Sequence, residues 1–229
     1  MTHTALIVGA SRGIGLGLVK ELADRGWEVT GTARSASGEA ALKALSPKGA
    51  VHLETVDTAD LASAEALRKR LEGKTFDVII VNAGVSGPRD KTPRTVSDGE
   101  FSDLFITNSL APVRFAELFA KLVTPQTGVI GLMTSQLGSV EQASGGGMEL
   151  YRASKAALNS FTRSFAARHK DKGITVLSLH PGWVKTDMGG PGAAIDIETS
   201  VKGLADVIER AQKDRKDGFF DYKGETLPW

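Results

Sequence analysis

The chain has 229 residues, carries no cysteine and balances 28 basic against 27 acidic residues, for a formal net charge of +1. That excludes disulfides, thiolate metal sites and a cysteine nucleophile, and it argues against recruitment to nucleic acid or anionic lipid. Glycine, at 26 residues, exceeds its usual share of roughly 7%.

The N-terminal residues have neither the basic flank nor the apolar core of a secretory leader, and no run approaches the ~20 apolar residues of a membrane span. A cytoplasmic protein is expected, without membrane or metal. Val- and Ile-rich runs predict strands at 4–9, 28–33, 50–56, 77–82, 128–134 and 174–180, with a short one near 217–221. Amphipathic stretches predict helices at 14–25, 38–45, 60–72, 98–122, 149–170 and 198–213. Continuous apolar strands alternating with helices predict an α/β fold: a Rossmann-like, doubly wound parallel sheet of about seven strands, buried on both faces by helices. No repeat or linker interrupts the chain, so residues 1–229 are expected to form one domain.

Local signals agree. Ser97 and Glu100 have the spacing of a capping box, Asp60 can cap the 60–72 helix, and Gly26, Gly49, Gly73 and Gly173 fit helix stops or turns. In the 98–122 helix, Phe101, Phe105, Pro112, Phe115, Phe119 and Leu122 mark an inward stripe that also contains Asn108. A buried Asn needs partners, either backbone groups or a bound water.

Gly9-Ala10-Ser11-Arg12-Gly13-Ile14-Gly15 joins the first strand to the first helix. Such a turn lets backbone approach a pyrophosphate, while the helix N-terminus offers free N–H groups and a positive dipole end. The same residues contain Gly9-x-Ser11-x-Gly13, the pattern of a hydrolase nucleophile elbow. Only eight residues precede Gly9, too few for the strand and loop that would supply an oxyanion hole, so a dinucleotide is the preferred ligand.

An acid about 20 residues past such a turn would bind a ribose 2′-OH, whereas an Arg there suits a 2′-phosphate. The second strand ends Gly31-Thr32-Ala33-Arg34-Ser35, with no acid. Arg34 and Arg12 can each grip phosphate as a fork, so NADP(H) is expected over NAD(H). Ligands bind outside the carboxyl ends of the strands in open parallel sheets. The remaining strand ends carry Asp57, Asn82-Ala83-Gly84, Ser135 and Pro181-Gly182. Any one of them alone is more often a plain loop or cap, and Asp57 could simply cap the next helix; the joint pattern points to a ligand. Tyr151 and Lys155 lie four apart on one helix face. A Lys ammonium beside a phenol would lower the phenol pKa and make it a usable acid or base.

Together these motifs resemble the short-chain dehydrogenase/reductase family. Tyr151-Arg152-Ala153-Ser154-Lys155 matches its Y-x-x-x-K, alongside the glycine turn, Asn82-Ala83-Gly84, Asn108, Ser135 and Pro181-Gly182-Trp183-Val184-Lys185-Thr186-Asp187. The ending Gly218 to Trp229 is similar to that of C-factor-like and sniffer-like carbonyl reductases. The resemblance implies an enzyme that interconverts a carbonyl compound and an alcohol. Tyr151 would pass the proton, Lys155 would hold the nicotinamide ribose, Ser135 would bond the substrate oxygen and Asn108 would keep a relay water. Asp57 would meet the adenine, Asn82 and Gly84 would line the cofactor groove, and Val184 and Thr186 would reach the carboxamide. It also implies a homodimer or homotetramer formed through the 98–122 and 149–170 helices. A reductase of carrier-bound acyl chains and a dinucleotide-binding signalling protein remain alternatives. Ser135 lies 16 residues before Tyr151, more than is usual for the family, which leaves Ser139 as a fallback. The short, glycine-rich 189–197 segment, at the family's substrate lid, suggests an open pocket.

Overall fold

The structure is a computed structural model that describes residues 2–45 and 50–229; Gly49 lies outside them. Seven strands form one parallel sheet in the order β3-β2-β1-β4-β5-β6-β7. They are β1 (Thr4–Val8), β2 (Glu28–Ala33), β3 (Val51–Thr55), β4 (Val78–Val81), β5 (Val129–Met133), β6 (Thr175–His180) and β7 (Gly218–Asp221). The helices are α1 (Gly13–Asp24), α2 (Ala36–Ala44), α3 (Leu61–Arg70), α4 (Asp98–Phe105), α5 (Ala111–Phe119), α6 (Glu149–His169) and α7 (Ile197–Asp214).

Period-2 alternation sends β1 side chains to two cores. Ala5 and Ile7 join Leu18, Leu22, Leu42, Leu204 and Ile208 on the α1/α2/α7 face. Leu6 and Val8 join Leu67, Phe115, Phe119, Leu158 and Phe165 on the α3/α5/α6 face. The 50–56 strand departs from the expected full burial: β3 is an edge strand, and His52 and Thr55 are exposed. Strand order reverses between β1 and β4, and a crevice opens at their carboxyl ends.

The expected 98–122 helix is continuous but not uniform. A π-helical turn, Ile106–Leu110, separates α4 from α5, and a 3-10 turn, Ala120–Leu122, closes it. The wider turn rotates everything upstream relative to α5. The inward stripe therefore fails at its start: Phe101 is 41% exposed and stacks on Phe105, while Leu104 is buried in their place. From Asn108 onward, Pro112, Phe115, Phe119 and Leu122 are buried as expected. The capping box forms as its spacing predicts, with Ser97 Oγ accepting the Glu100 amide and Glu100 accepting the Ser97 amide. Asp60 caps α3 through the Ala62 amide.

Candidate active site

The glycine turn is held by its neighbours. The Gly9 amide donates to buried Thr32 Oγ1 at 3.1 Å, and Asn82 Nδ2 donates to the Gly9 carbonyl at 2.9 Å. Gly9 sits at φ +81°, and a Cβ there would lie 2.9 Å from the Ala83 main chain. β1 and β4 thus converge tightly at their carboxyl ends because Gly9 has no side chain. Gly15 lies behind the turn, where a Cβ would come within 2.2 Å of the Gly9 carbonyl.

A cleft of about 830 Å³ runs along this crevice. Gly9, Ser11, Arg12, Gly13, Ile14, Arg34, Asp57, Asn82, Ala83, Gly84, Tyr151, Lys155, Pro181 and Thr186 all line it. Other expected residues stand just outside it. Gly182, at φ +84°, packs against Ile195 and Tyr222, and the Pro181 carbonyl accepts from Ser200 Oγ at 2.6 Å. Val184 is buried and paired with Ile195.

Asn108, on the π-helical turn, is fully buried. Its Oδ1 accepts the Val85 amide at 2.8 Å, and its Nδ2 donates to the Val85 carbonyl at 2.8 Å and to Ser154 Oγ at 3.1 Å. It ties the loop after β4 to α6. A Cβ on Gly84 would lie 3.3 Å from Asn108 Oδ1 and 3.4 Å from Lys155 Nζ, so a side chain there would crowd both groups.

Lys155 is buried, and its ammonium donates to the Met133 carbonyl at 3.0 Å. Burial pulls its pKa down to about 8. Tyr151 reverses an expectation: its pKa is raised, not lowered. Burial is the largest cause, opposed by a hydrogen bond with Ser135 and by the charge of Arg89. The Lys155 ammonium is 5.9 Å from the ring centroid and spends its hydrogen bond on the backbone. The phenol therefore keeps its proton at neutral pH.

Ser135 Oγ accepts the Leu137 amide at 3.1 Å and faces Tyr151. Ser139 turns away, donating to the Trp229 main-chain oxygen at 3.3 Å and accepting the Gln142 amide at 3.2 Å. Arg12 pairs with Asp187 at 2.7 Å, and Arg34 stands 3.9 Å from Asp57. Asp57 also accepts the Ala59 amide, while capping of α3 falls to Asp60.

Several cleft groups escaped the sequence reading. Thr107, Thr134 and Met188 line it, and buried Thr134 Oγ1 has no hydrogen-bond partner there; Lys185 and Asp187, which the sequence offered only as part of the Pro181–Asp187 motif, line it too. Thr134 follows β5 directly, so strand-end position could have flagged it. Arg89, which donates to the Met188 carbonyl, had no local signal. Among the described residues, no cluster of three metal-ligating side chains occurs, and no helix is long and apolar enough to cross a membrane.

The family model for short chain dehydrogenase matches residues 3–194. The chain belongs to the short-chain dehydrogenase family. This short-chain dehydrogenase is 38% identical over 159 residues to the C-signal protein of Myxococcus xanthus, covering 67% of this chain and 92% of that one. Its structure superposes on a Burkholderia multivorans short-chain dehydrogenase/reductase with bound NADP at TM-score 0.94 and 41% identity, each chain fully covered. The carbonyl reductase Sniffer of D. melanogaster matches at TM-score 0.92 and 31% identity, again over the whole of both chains. The chain is thus an oxidoreductase of this family with NADP-binding structural neighbours.

The cleft fits such a cofactor on its own chemistry. It is lined by Gly9 and Gly84, where a side chain would crowd the Ala83 main chain and the Asn108 and Lys155 side chains respectively, it carries Arg12 and Arg34, and Thr134 offers a buried, unpartnered hydroxyl.

Proposed function

We propose that this short-chain dehydrogenase is an NADP(H)-dependent carbonyl reductase that interconverts a ketone, aldehyde or quinone and its alcohol. The observation that carries the reading is the Tyr151 phenol, facing Ser135 and kept protonated by burial, on the same helix face as buried Lys155, with both residues lining the cleft. A protonated phenol is an acid, which suits reduction, where the new alcohol oxygen needs a proton. Ser135 bonds the carbonyl oxygen and aims it at that phenol. Lys155 fixes the nicotinamide ribose. Asn108 Oδ1, with one lone pair on Val85, keeps a second for a relay water beside Gly84 and Lys155. The cofactor, when bound, supplies the hydride.

For the cofactor, Gly9, Ser11, Gly13, Ile14 and Gly15 form the pyrophosphate turn. Asn82, Ala83 and Gly84 line the groove, Asp57 meets the adenine, and Pro181, Gly182, Val184 and Thr186 shape the nicotinamide end. Arg12 and Arg34 favour NADP(H) over NAD(H). Their present partners do not compete strongly: the Arg12–Asp187 side chains are each 77% exposed, and exposed ion pairs are worth about 0–1 kcal/mol, less than charge-assisted bonds to phosphate. Exposed Met188 adds an apolar side chain to the cleft lining, which suits a permissive substrate range.

Tyr151→Phe tests the reading. Turnover of isatin or menadione with NADPH should fall roughly 10²–10⁴-fold, with NADPH affinity nearly kept and tighter than NADH affinity in both proteins. Unchanged turnover would overturn the mechanism, and tighter NADH binding would overturn the cofactor assignment.

A further inference from the structure

The stretch after β7 folds back on the sheet. Asp221 Oδ1 accepts the Lys223 and Glu225 amides at 2.9 Å each, and the Leu227 amide donates to the Phe219 carbonyl at 2.8 Å. This return run delivers Trp229. The indole lies 5.5 Å from the Phe219 ring, and the Arg163 guanidinium of α6 sits 5.2 Å from it. The Trp229 main-chain oxygen accepts two bonds from the segment after β5: Ser139 Oγ at 3.3 Å and the Glu141 amide at 3.2 Å.

That segment carries Ser135. The 3-10 turn Gln136–Gly138 begins at Ser135, whose carbonyl accepts the Gly138 amide at 2.8 Å and whose Oγ accepts the Leu137 amide. α6 supports one side of the turn: Asn159 Nδ2 donates to the Gly138 carbonyl at 3.2 Å, and a Cβ on Gly138 would lie 2.8 Å from the Lys155 main chain. Trp229 supports the other side. Beyond them the chain runs into Gly145 and Gly146, where a Cβ would meet nothing within 4 Å.

We infer that Trp229 is a positioning residue for Ser135, clamping the segment after β5 so that the serine hydroxyl stays against the Tyr151 phenol. The inference rests on the proposed reading of Ser135 as the partner of the substrate oxygen. Wedged between Phe219 and Arg163, the indole sets where its own main-chain oxygen lies, and that oxygen sets Ser139 and Glu141. A displacement there moves the Ser135 hydroxyl without touching the cofactor groove.

The test is a double-mutant cycle on kcat for isatin or menadione reduction, with NADPH affinity and amide hydrogen exchange measured on the same proteins. Trp229→Ala should lower kcat roughly 10- to 100-fold, the scale of a small misplacement at a reacting centre, and leave NADPH affinity unchanged. Trp229→Phe should recover most of that loss. In a Ser135→Ala background, Trp229→Ala should add little, because coupled residues are not additive. The Leu137 and Gly138 amides should exchange faster in Trp229→Ala. Unchanged exchange at those amides, unchanged kcat, or losses that multiply in the double variant would each overturn the clamp. Ser135→Ala with full kcat would instead overturn the reading of Ser135, and the clamp with it. Should Trp229→Ala fail to fold, Ser139→Ala, which removes one of the two bonds to the Trp229 oxygen, enters the same cycle with the same expectations.

Discussion

Burying an ammonium is expensive, and Lys155 is buried with a single backbone acceptor, at a pKa lowered to about 8. Below pH 8 the native state bears the full cost of the buried charge. Between 8 and 10.5 the native lysine is deprotonated while the unfolded one is still charged, so this group makes stability rise with pH. The shift from 10.5 to about 8 corresponds to something on the order of 3 kcal/mol. Lys155→Met, which gives up the bond to the Met133 carbonyl, should still stabilise the protein at pH 7 by about 1–2 kcal/mol while abolishing turnover. Urea unfolding should show the gap to the parent protein closing between pH 8 and 10.5. A less stable variant at pH 7, or a gap that widens with pH, would contradict this account. The Tyr151–Lys155 pair was legible in the sequence because helical spacing alone puts residues four apart on one face. Their proton affinities were not, since burial and the Met133 carbonyl come from other parts of the chain.

The π-helical turn shows how an element can be read correctly in extent and wrongly in facing. Capping at Ser97 and the apolar period from Pro112 to Leu122 are local, and both formed as their sequence predicts. The single extra residue of the turn is not a local preference. It is held in place by Asn108, whose side chain bonds both polar groups of the Val85 backbone and so favours the wider turn over a regular one. Phe101 accordingly faces outward. Asn108→Ala would leave the Val85 amide and carbonyl without their partners. Partly buried groups of this kind cost about 1–3 kcal/mol when unpaired, so a loss of about 2 kcal/mol in unfolding free energy is expected, with faster exchange at the Val85 amide. Unfolding energies equal within error would show that water replaces both bonds. Arg89 and the contacts of Trp229 escaped the sequence reading for a related reason: each residue reaches its place from a stretch far along the chain from its partners, and nothing in the spacing joins them.

For the whole molecule, strand–helix alternation was enough to give the parallel sheet, because continuous apolar strands can be buried only between two helical layers. Only β3, at the edge, departs from that pattern. We propose that the outer surfaces of α4 and α6 pair two copies of the chain. Phe101 on α4 is 41% exposed and Phe161 on α6 is 44% exposed, large apolar side chains of the sort that mark a contact surface when clustered. Phe101→Glu combined with Phe161→Glu should shift the protein to monomer in analytical ultracentrifugation with NADPH affinity retained. A variant with the parent sedimentation coefficient would place the interface elsewhere.

The β1–β4 seam that opens the cleft also bears on how the protein is made. β1 must pair with β2 on one edge and β4 on the other, and 73 residues separate Thr4 from Asp77 at the start of that second pairing. A ribosome delivers β1, β2 and β3 well before β4. Until then the nascent chain carries an unmatched edge of Thr4–Val8, apolar toward both faces and suited to pairing with another chain. The seam at which the cleft later opens is thus, during synthesis, a line along which the chain can stick to another.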